Sequence, residues 1–259
     1  MEIETLGHSI FRNGIEKLKC SAYLFQEFQD LLAREIESLN PDCVILDITC
    51  LTKVHALAAA AFFATTEKTF DVFLAYSIPE NYGFVSNAIG EPAAWRDILI
   101  APLADTAMLF NEASGRGIIM PGHEADRLII ALGEIEPAAG VIVIAEAKRR
   151  PDLRQVTEGK NGKTIKQLSR VRGGRWKKSV VGLADFDGLS AIIEEEVLLA
   201  QAHEAPVIIF PYGPKSLLFA AAWQLTKDYP DASWFVYPIP VAYDADYSSG
   251  VEETLWMQI

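Results

Sequence analysis

At 259 residues, half of them apolar and 22% charged, the chain suits one large α/β domain or two smaller lobes and is too apolar to stay disordered. The longest apolar stretch, Ala56 to Ala64, falls far short of the ~20 residues that cross a bilayer, and Met1-Glu2-Ile3-Glu4 lacks the basic start of a signal peptide, so a soluble cytoplasmic protein with no membrane partner is expected. The net charge of −12 argues against wholesale nucleic-acid binding, and Cys20, Cys43 and Cys50 form neither a CxxC nor a paired metal-ligand spacing.

Phe25 to Leu39 is a predicted helix, with Phe25, Phe28, Leu32, Ile36 and Leu39 spaced by three and four and Pro41 beyond its end. Cys43 to Ile48 reads as a buried strand, Val54 to Thr65 as an Ala-rich helix and Asp71 to Tyr76 as a second strand. Apolar runs at Ile98 to Ala101 and Gly117 to Met120 precede a helix over Glu124 to Ile135 and a strand over Val141 to Ala145. After a basic segment come a weak strand at Val180 to Leu183, a helix at Leu189 to His203, a strand at Val207 to Phe210, a helix at Lys215 to Lys227, a strand at Trp234 to Tyr237 and an edge strand at Glu252 to Met257. Strands alternating with helices imply βαβ units. The expected class is therefore α/β, with a Rossmann-like, doubly wound, mostly parallel sheet that two Rossmann-like halves could build. On that reading residues 1–147 form the first half and residues 179–259 complete the sheet.

Residues 148–178 carry twelve basic and two acidic residues, a net +10 that leaves −22 for the remainder. With four glycines and little apolar periodicity, the segment reads as an exposed excursion between the halves. Arg170, Arg172, Arg175, Trp176, Lys177 and Lys178 are its candidates for gripping nucleic acid or docking on a protein partner. The alternative is a solvated loop that offsets acidity elsewhere.

Ligands of open α/β sheets bind beyond the carboxyl ends of the strands, so the turns there are the candidate sites. In Asp47-Ile48-Thr49-Cys50-Leu51-Thr52, the carboxylate of Asp47 with the hydroxyls of Thr49 and Thr52 could hold a ribose or a metal-bound water, or could cap the next helix. In Pro121-Gly122-His123-Glu124, the His123, Glu124 and Arg127 side chains suit acid/base chemistry or an anionic substrate, or else a capped helix with a Glu124–Arg127 pair. Pro211-Tyr212-Gly213-Pro214-Lys215-Ser216 is the strongest signal: Pro214 suits the first helical position, and Gly213, Lys215 and Ser216 lie where a helix start attracts phosphate. It lacks the spacing of a Walker A loop. Tyr243 and Tyr247, in a turn rich in carboxylates and hydroxyls, could close over a base as a lid. His8, His55, His123 and His203 are too scattered for a multi-His metal site, no metal is indicated, and no residue pattern names a cofactor.

The polar turn after an early strand and the Gly213-Pro214-Lys215-Ser216 turn resemble the CARF-type (CRISPR-associated Rossmann fold) domains of prokaryotic defence systems, in which a Gly-Gly-Thr-Lys-like turn cradles a cyclic or linear nucleotide. Gly213, Lys215 and Ser216 match the glycine, basic and hydroxyl roles, and Pro214 departs from the pattern. The chain is also similar to uncharacterised bacterial Rossmann-like proteins with the same Gly-Pro-Lys turn and a Tyr-Ser-x-Gly segment, here Tyr247 to Gly250. The resemblance implies a sensor or accessory subunit of a bacterial defence or regulatory system that binds a nucleotide or other phosphorylated small molecule. Two alternatives stand beside it. One is a hydrolase or glycosyl-transfer enzyme with Glu124 or Asp47 as base or nucleophile and Arg127 and Lys215 stabilising charge. The other is a non-catalytic assembly subunit, paired with itself or another protein, whose basic segment docks on a partner or on nucleic acid.

Overall fold

The structure, a computed structural model, describes residues 2–4, 17–19, 25–67, 70–82, 95–102, 115–123, 125–171, 175–230, 233–240 and 248–259. Along the chain the elements are β1 (Glu2–Glu4), β2 (Lys17–Lys19), α1 (Phe25–Leu39), β3 (Cys43–Asp47), α2 (Lys53–Thr65), β4 (Asp71–Ile78), β5 (Asn81–Tyr82), β6 (Trp95–Pro102) and β7 (Arg116–Met120). Then follow α3 (Ala125–Glu134), β8 (Ala139–Glu146), α4 (Pro151–Val171), β9 (Trp176–Gly182), α5 (Phe186–Gln201), β10 (Val207–Pro211), α6 (Lys215–Asp228), β11 (Ser233–Pro240), β12 (Ser248–Ser249) and β13 (Glu253–Gln258). The chain divides into two compact units, Met1–Ile89 with Tyr243–Ile259, and Gly90–Ala242.

In the first unit β3 and β4 pair in parallel, joined by α2, and β13 adds an antiparallel edge in the order β13-β4-β3. Helix α1 buries Phe28, Leu31, Leu32 and Ile36, the stripe its three-and-four spacing dictates, and packs on α2. Helix α2 is buried on nearly every side, from Val54 through Ala61, because its alanines let neighbours approach closely; the His55 ring stacks on Phe28 with centroids 4.5 Å apart.

The second unit holds the six-stranded sheet, in the order β6-β11-β10-β7-β8-β9, with β6 antiparallel to β11 and the other five strands parallel. From β7 the chain builds outward through β8 to β9, then returns across to β10 and β11. The direction of winding therefore reverses between β7 and β10, as in a Rossmann-like doubly wound fold. Helix α3 packs beside α4 and α5 beside α6, so helix pairs flank a core of Ile118, Ile119, Val141 to Ile144 and Val207 to Phe210. At the amino end of β7, Arg116 Nε donates to Glu196 Oε2 of α5 at 2.6 Å, with the Glu196 side chain only 1% exposed.

Two expectations change. The parallel sheet is complete within residues 90–242 and is not assembled from halves at 1–147 and 179–259. Residues 148–178 are not an excursion: they supply the 21-residue crossover helix α4 and the start of the edge strand β9, which begins at Trp176 and not at Val180. The buried stripe of α4 runs through Leu153, Thr157, Asn161 and Leu168 at helical spacing, and two of its four members are polar, which hides the apolar period.

Candidate functional site

The turn after β3 in the first unit brings Asp47, Thr49 and Thr52 together, and each accepts a backbone N–H. Thr49 N–H donates to Asp47 Oδ1 at 2.8 Å, Ser77 N–H donates to Thr49 Oγ1 at 2.9 Å, and His55 N–H donates to Thr52 Oγ1 at 3.2 Å. Thr52 is thus the N-cap of α2, and Asp47 and Thr49 fix the chain between strand and helix. Of the two readings open to this turn, the geometry carries capping.

In the second unit the carboxyl ends of β7 and β10 lie side by side at the winding reversal, with Met120 paired to Pro211. Their turns touch: Tyr212 N–H donates to Met120 C=O at 2.9 Å, and a Cβ on Gly122 would lie 2.0 Å from Tyr212 C=O, so only glycine fits there. Tyr212 is buried, its hydroxyl donating to Val236 C=O at 3.1 Å, and it anchors the second turn to β11. Because α3 and α6 start from these adjacent turns, both helix amino ends border the crevice, where backbone N–H groups and the helix dipole favour an anion. A Cβ on Gly213 would meet Met120 at 3.4 Å, an ordinary contact, so packing does not demand glycine there.

The two turns differ in how their polar groups are spent. Pro214 proves to be the N-cap of α6, with Lys215 first in the helix, and offers no side-chain hydrogen bond to the first turn. By contrast Asp185 caps α5 by accepting from Gly188 N–H at 3.0 Å. Ser216, in the first turn of α6, is 0% exposed, and its Oγ has no hydrogen-bond partner among the described residues. Asn161, also 0% exposed, reaches from α4 to the β7 turn: its Nδ2 donates to Gly122 C=O at 2.8 Å and to Thr157 C=O at 2.9 Å, and its Oδ1 has no partner among the described residues. Sequence reasoning did not single out Asn161. A polar residue four after Thr157 on a helical stripe was the available signal.

The remaining candidates are distributed as follows. His123 is half-buried in the β7 turn and faces the start of α4: the Asp152 carboxyl is held below its ordinary range by hydrogen bonding to Arg150, with a smaller contribution from His123. Lys215 is half-buried at the start of α6. Arg127 lies in α3 and Arg170 in α4, while Glu124, Arg172, Tyr243 and Tyr247 fall outside the described residues. Trp176 is 6% exposed and packs over Gly117, so it belongs to the core and is not a stacking platform. Lys178 pairs with Glu158 at 3.1 Å and Lys177 with Glu195, while Arg175 is exposed. Among the described residues no group of three or more His, Cys, Asp or Glu is placed to hold a metal, and no helix is long and apolar enough to cross a membrane. The chain matches no protein-family model and no curated protein, so its function rests on this geometry.

Proposed function

We propose that the second unit binds a nucleotide or another phosphorylated small molecule in the crevice at the carboxyl ends of β7 and β10. The observation that carries this reading is Ser216: a fully buried hydroxyl with no partner among the described residues, on the first turn of a helix whose cap supplies no side-chain acceptor, at the winding reversal of a doubly wound sheet. A phosphate oxygen would accept from the Ser216 hydroxyl and from the α6 amides of Lys215 and Ser216, with the Lys215 ammonium neutralising its charge. Asn161 holds the facing turn through Gly122. Such binding suits the sensor or accessory role in bacterial defence or regulation that the CARF-type resemblance implies, in which occupancy and not turnover is the output.

The test is thermal unfolding and calorimetric titration with inorganic pyrophosphate, AMP and ATP. A ligand at a hundred times its Kd stabilises the folded state by about 2.7 kcal/mol. Lys215→Ala and Ser216→Ala should each remove most of that shift. Absence of any shift with all three compounds, or an equal shift in both variants, would overturn the reading. Turnover of a bound nucleotide would replace the sensor by the enzyme reading, and Glu124→Gln should then abolish it.

A further inference from the structure

Among the described residues β9 is an end strand of the six-stranded sheet and β13 of the three-stranded one, and the two edges are built differently. An open edge is a template for another strand, and proteins blunt it with lysine, proline or a bulge. Strand β9 is blunted by Lys177 and Lys178, adjacent and both exposed. Strand β13, Glu-Thr-Leu-Trp-Met-Gln, carries no lysine, arginine or proline, and its register against β4 is unbroken from Glu253, opposite Ile78, to Gln258, opposite Phe73.

Ile259 N–H donates to Val72 C=O at 3.1 Å. By the alternation of an antiparallel ladder, Leu255 and Met257 likewise turn their backbone groups toward β4, and Thr254, Trp256 and Gln258 turn theirs outward. The side chains of these three share one face and are exposed, whereas Met257 on the opposite face is buried. Trp256, at 62%, is the most exposed large apolar side chain among the described residues.

The outward residues are spaced by two, so a single twofold axis, through Trp256, maps the set onto itself. Trp256 of one copy then lies opposite Trp256 of the other, and Thr254 opposite Gln258. Each of these facing pairs exchanges two main-chain hydrogen bonds. The rings form a cross-strand aromatic pair, each covering the other, while a peptide of unrelated sequence would satisfy the edge and leave the ring bare. Charge agrees with this register. Glu253 stands three residues from the axis, so the two Glu253 carboxylates are about 20 Å apart along the strands, beyond the screening length. An axis through Thr254 would bring them within about 7 Å.

We propose that β13 is a self-association edge: two copies of the chain pair their β13 strands antiparallel about Trp256 and join their three-stranded sheets into one of six strands. This surface belongs to the first unit and is independent of the phosphate reading of the second.

The experiment is sedimentation velocity of the full chain across a concentration series, and a concentration-dependent dimer is expected in the micromolar range. Trp256→Lys sets two ammonium groups against each other at the axis and should weaken the dimer at least about a hundredfold. Gln258→Pro removes an outward N–H and no bond to β4, and should weaken it at least about tenfold. Both residues are exposed, so neither substitution touches the core. Leu198→Lys, at a comparably exposed apolar residue of α5, should leave the dimer intact. A chain that stays monomeric up to about 100 μM overturns the proposal. So does a dimer that survives Trp256→Lys, or one lost equally in Leu198→Lys. A dimer that Trp256→Lys breaks and Gln258→Pro spares also overturns it, because the contact would then lie on the face of the sheet and not on its edge.

Discussion

The turn from β3 into α2 and the turn from β10 into α6 do the same structural job, yet they spend their polar atoms in opposite ways. Asp47, Thr49 and Thr52 make the richer sequence, and each of them accepts a backbone N–H. Pro211 to Ser216 is poorer in polar groups, but Pro214 withholds a cap and Ser216 keeps a buried hydroxyl unspent among the described residues. A loop thick with hydroxyls and carboxylates is therefore not by that fact a binding site, because backbone amides compete for the same lone pairs. What marks a site is polar capacity left over in a place where water cannot satisfy it.

The largest effect should come from turning a satisfied buried group into an unsatisfied one. Arg116 is the partner of Glu196, whose other oxygen, Oε1, already has none among the described residues. Arg116→Met should cost about 3–5 kcal/mol in denaturant unfolding, the usual penalty for stranding one member of a buried pair. Arg116→Met with Glu196→Leu should recover most of that loss. A single variant within about 1 kcal/mol of wild type would mean that Glu196 finds another partner and that burial here is not costly.

Of intermediate size is the direct contrast between the two turns. Thr52→Ala removes a working N-cap from α2 and should destabilise the chain by about 1 kcal/mol, with no change in affinity for phosphate compounds. Ser216→Ala removes a hydroxyl that makes no hydrogen bond to any described residue, so the unliganded protein should be as stable as wild type or slightly more so, while the ligand-dependent shift is lost. Equal destabilisation by the two substitutions would erase the distinction between them.

Legibility in the sequence followed the range of the interactions. Helix α1 could be read end to end, since its buried face is a local apolar repeat, and Gly213 to Ser216 could be read because proline and glycine punctuate a helix start whatever surrounds it. Helix α4 could not. Thr157 and Asn161 replace apolar residues on its buried face, and Gly159 and Gly162 suggest a loop although a Cβ at either would meet nothing within 4 Å. Asn161 escaped notice because its partner, Gly122, lies 39 residues away and the pairing depends on the strand order. The β3 turn misled for the same reason: Thr49 is taken by Ser77, 28 residues on and across a strand pair.

The smallest effect should come from satisfied polar groups at the surface, where water is an adequate substitute. Glu158 joins α4 to β9, receiving Lys178 and Arg154 at 3.1 Å each. The Lys178 hydrogen bond, followed by that of Arg154, holds its carboxyl below its ordinary value of 4.5. A group whose pKa is depressed on folding contributes stability above its unfolded value and loses it as pH falls through the folded one. Glu158→Gln should therefore lower stability at pH 7 by about 0.2–1 kcal/mol, the range of exposed pairs. Below the carboxylate range variant and wild type should converge, and at pH 7 the gap should shrink as salt is added. A gap that persists at pH 2, or that ignores salt, would mean that Glu158 acts through packing. The surface pairs of α4 would then belong with the buried groups of β7 and not with the solvated ones.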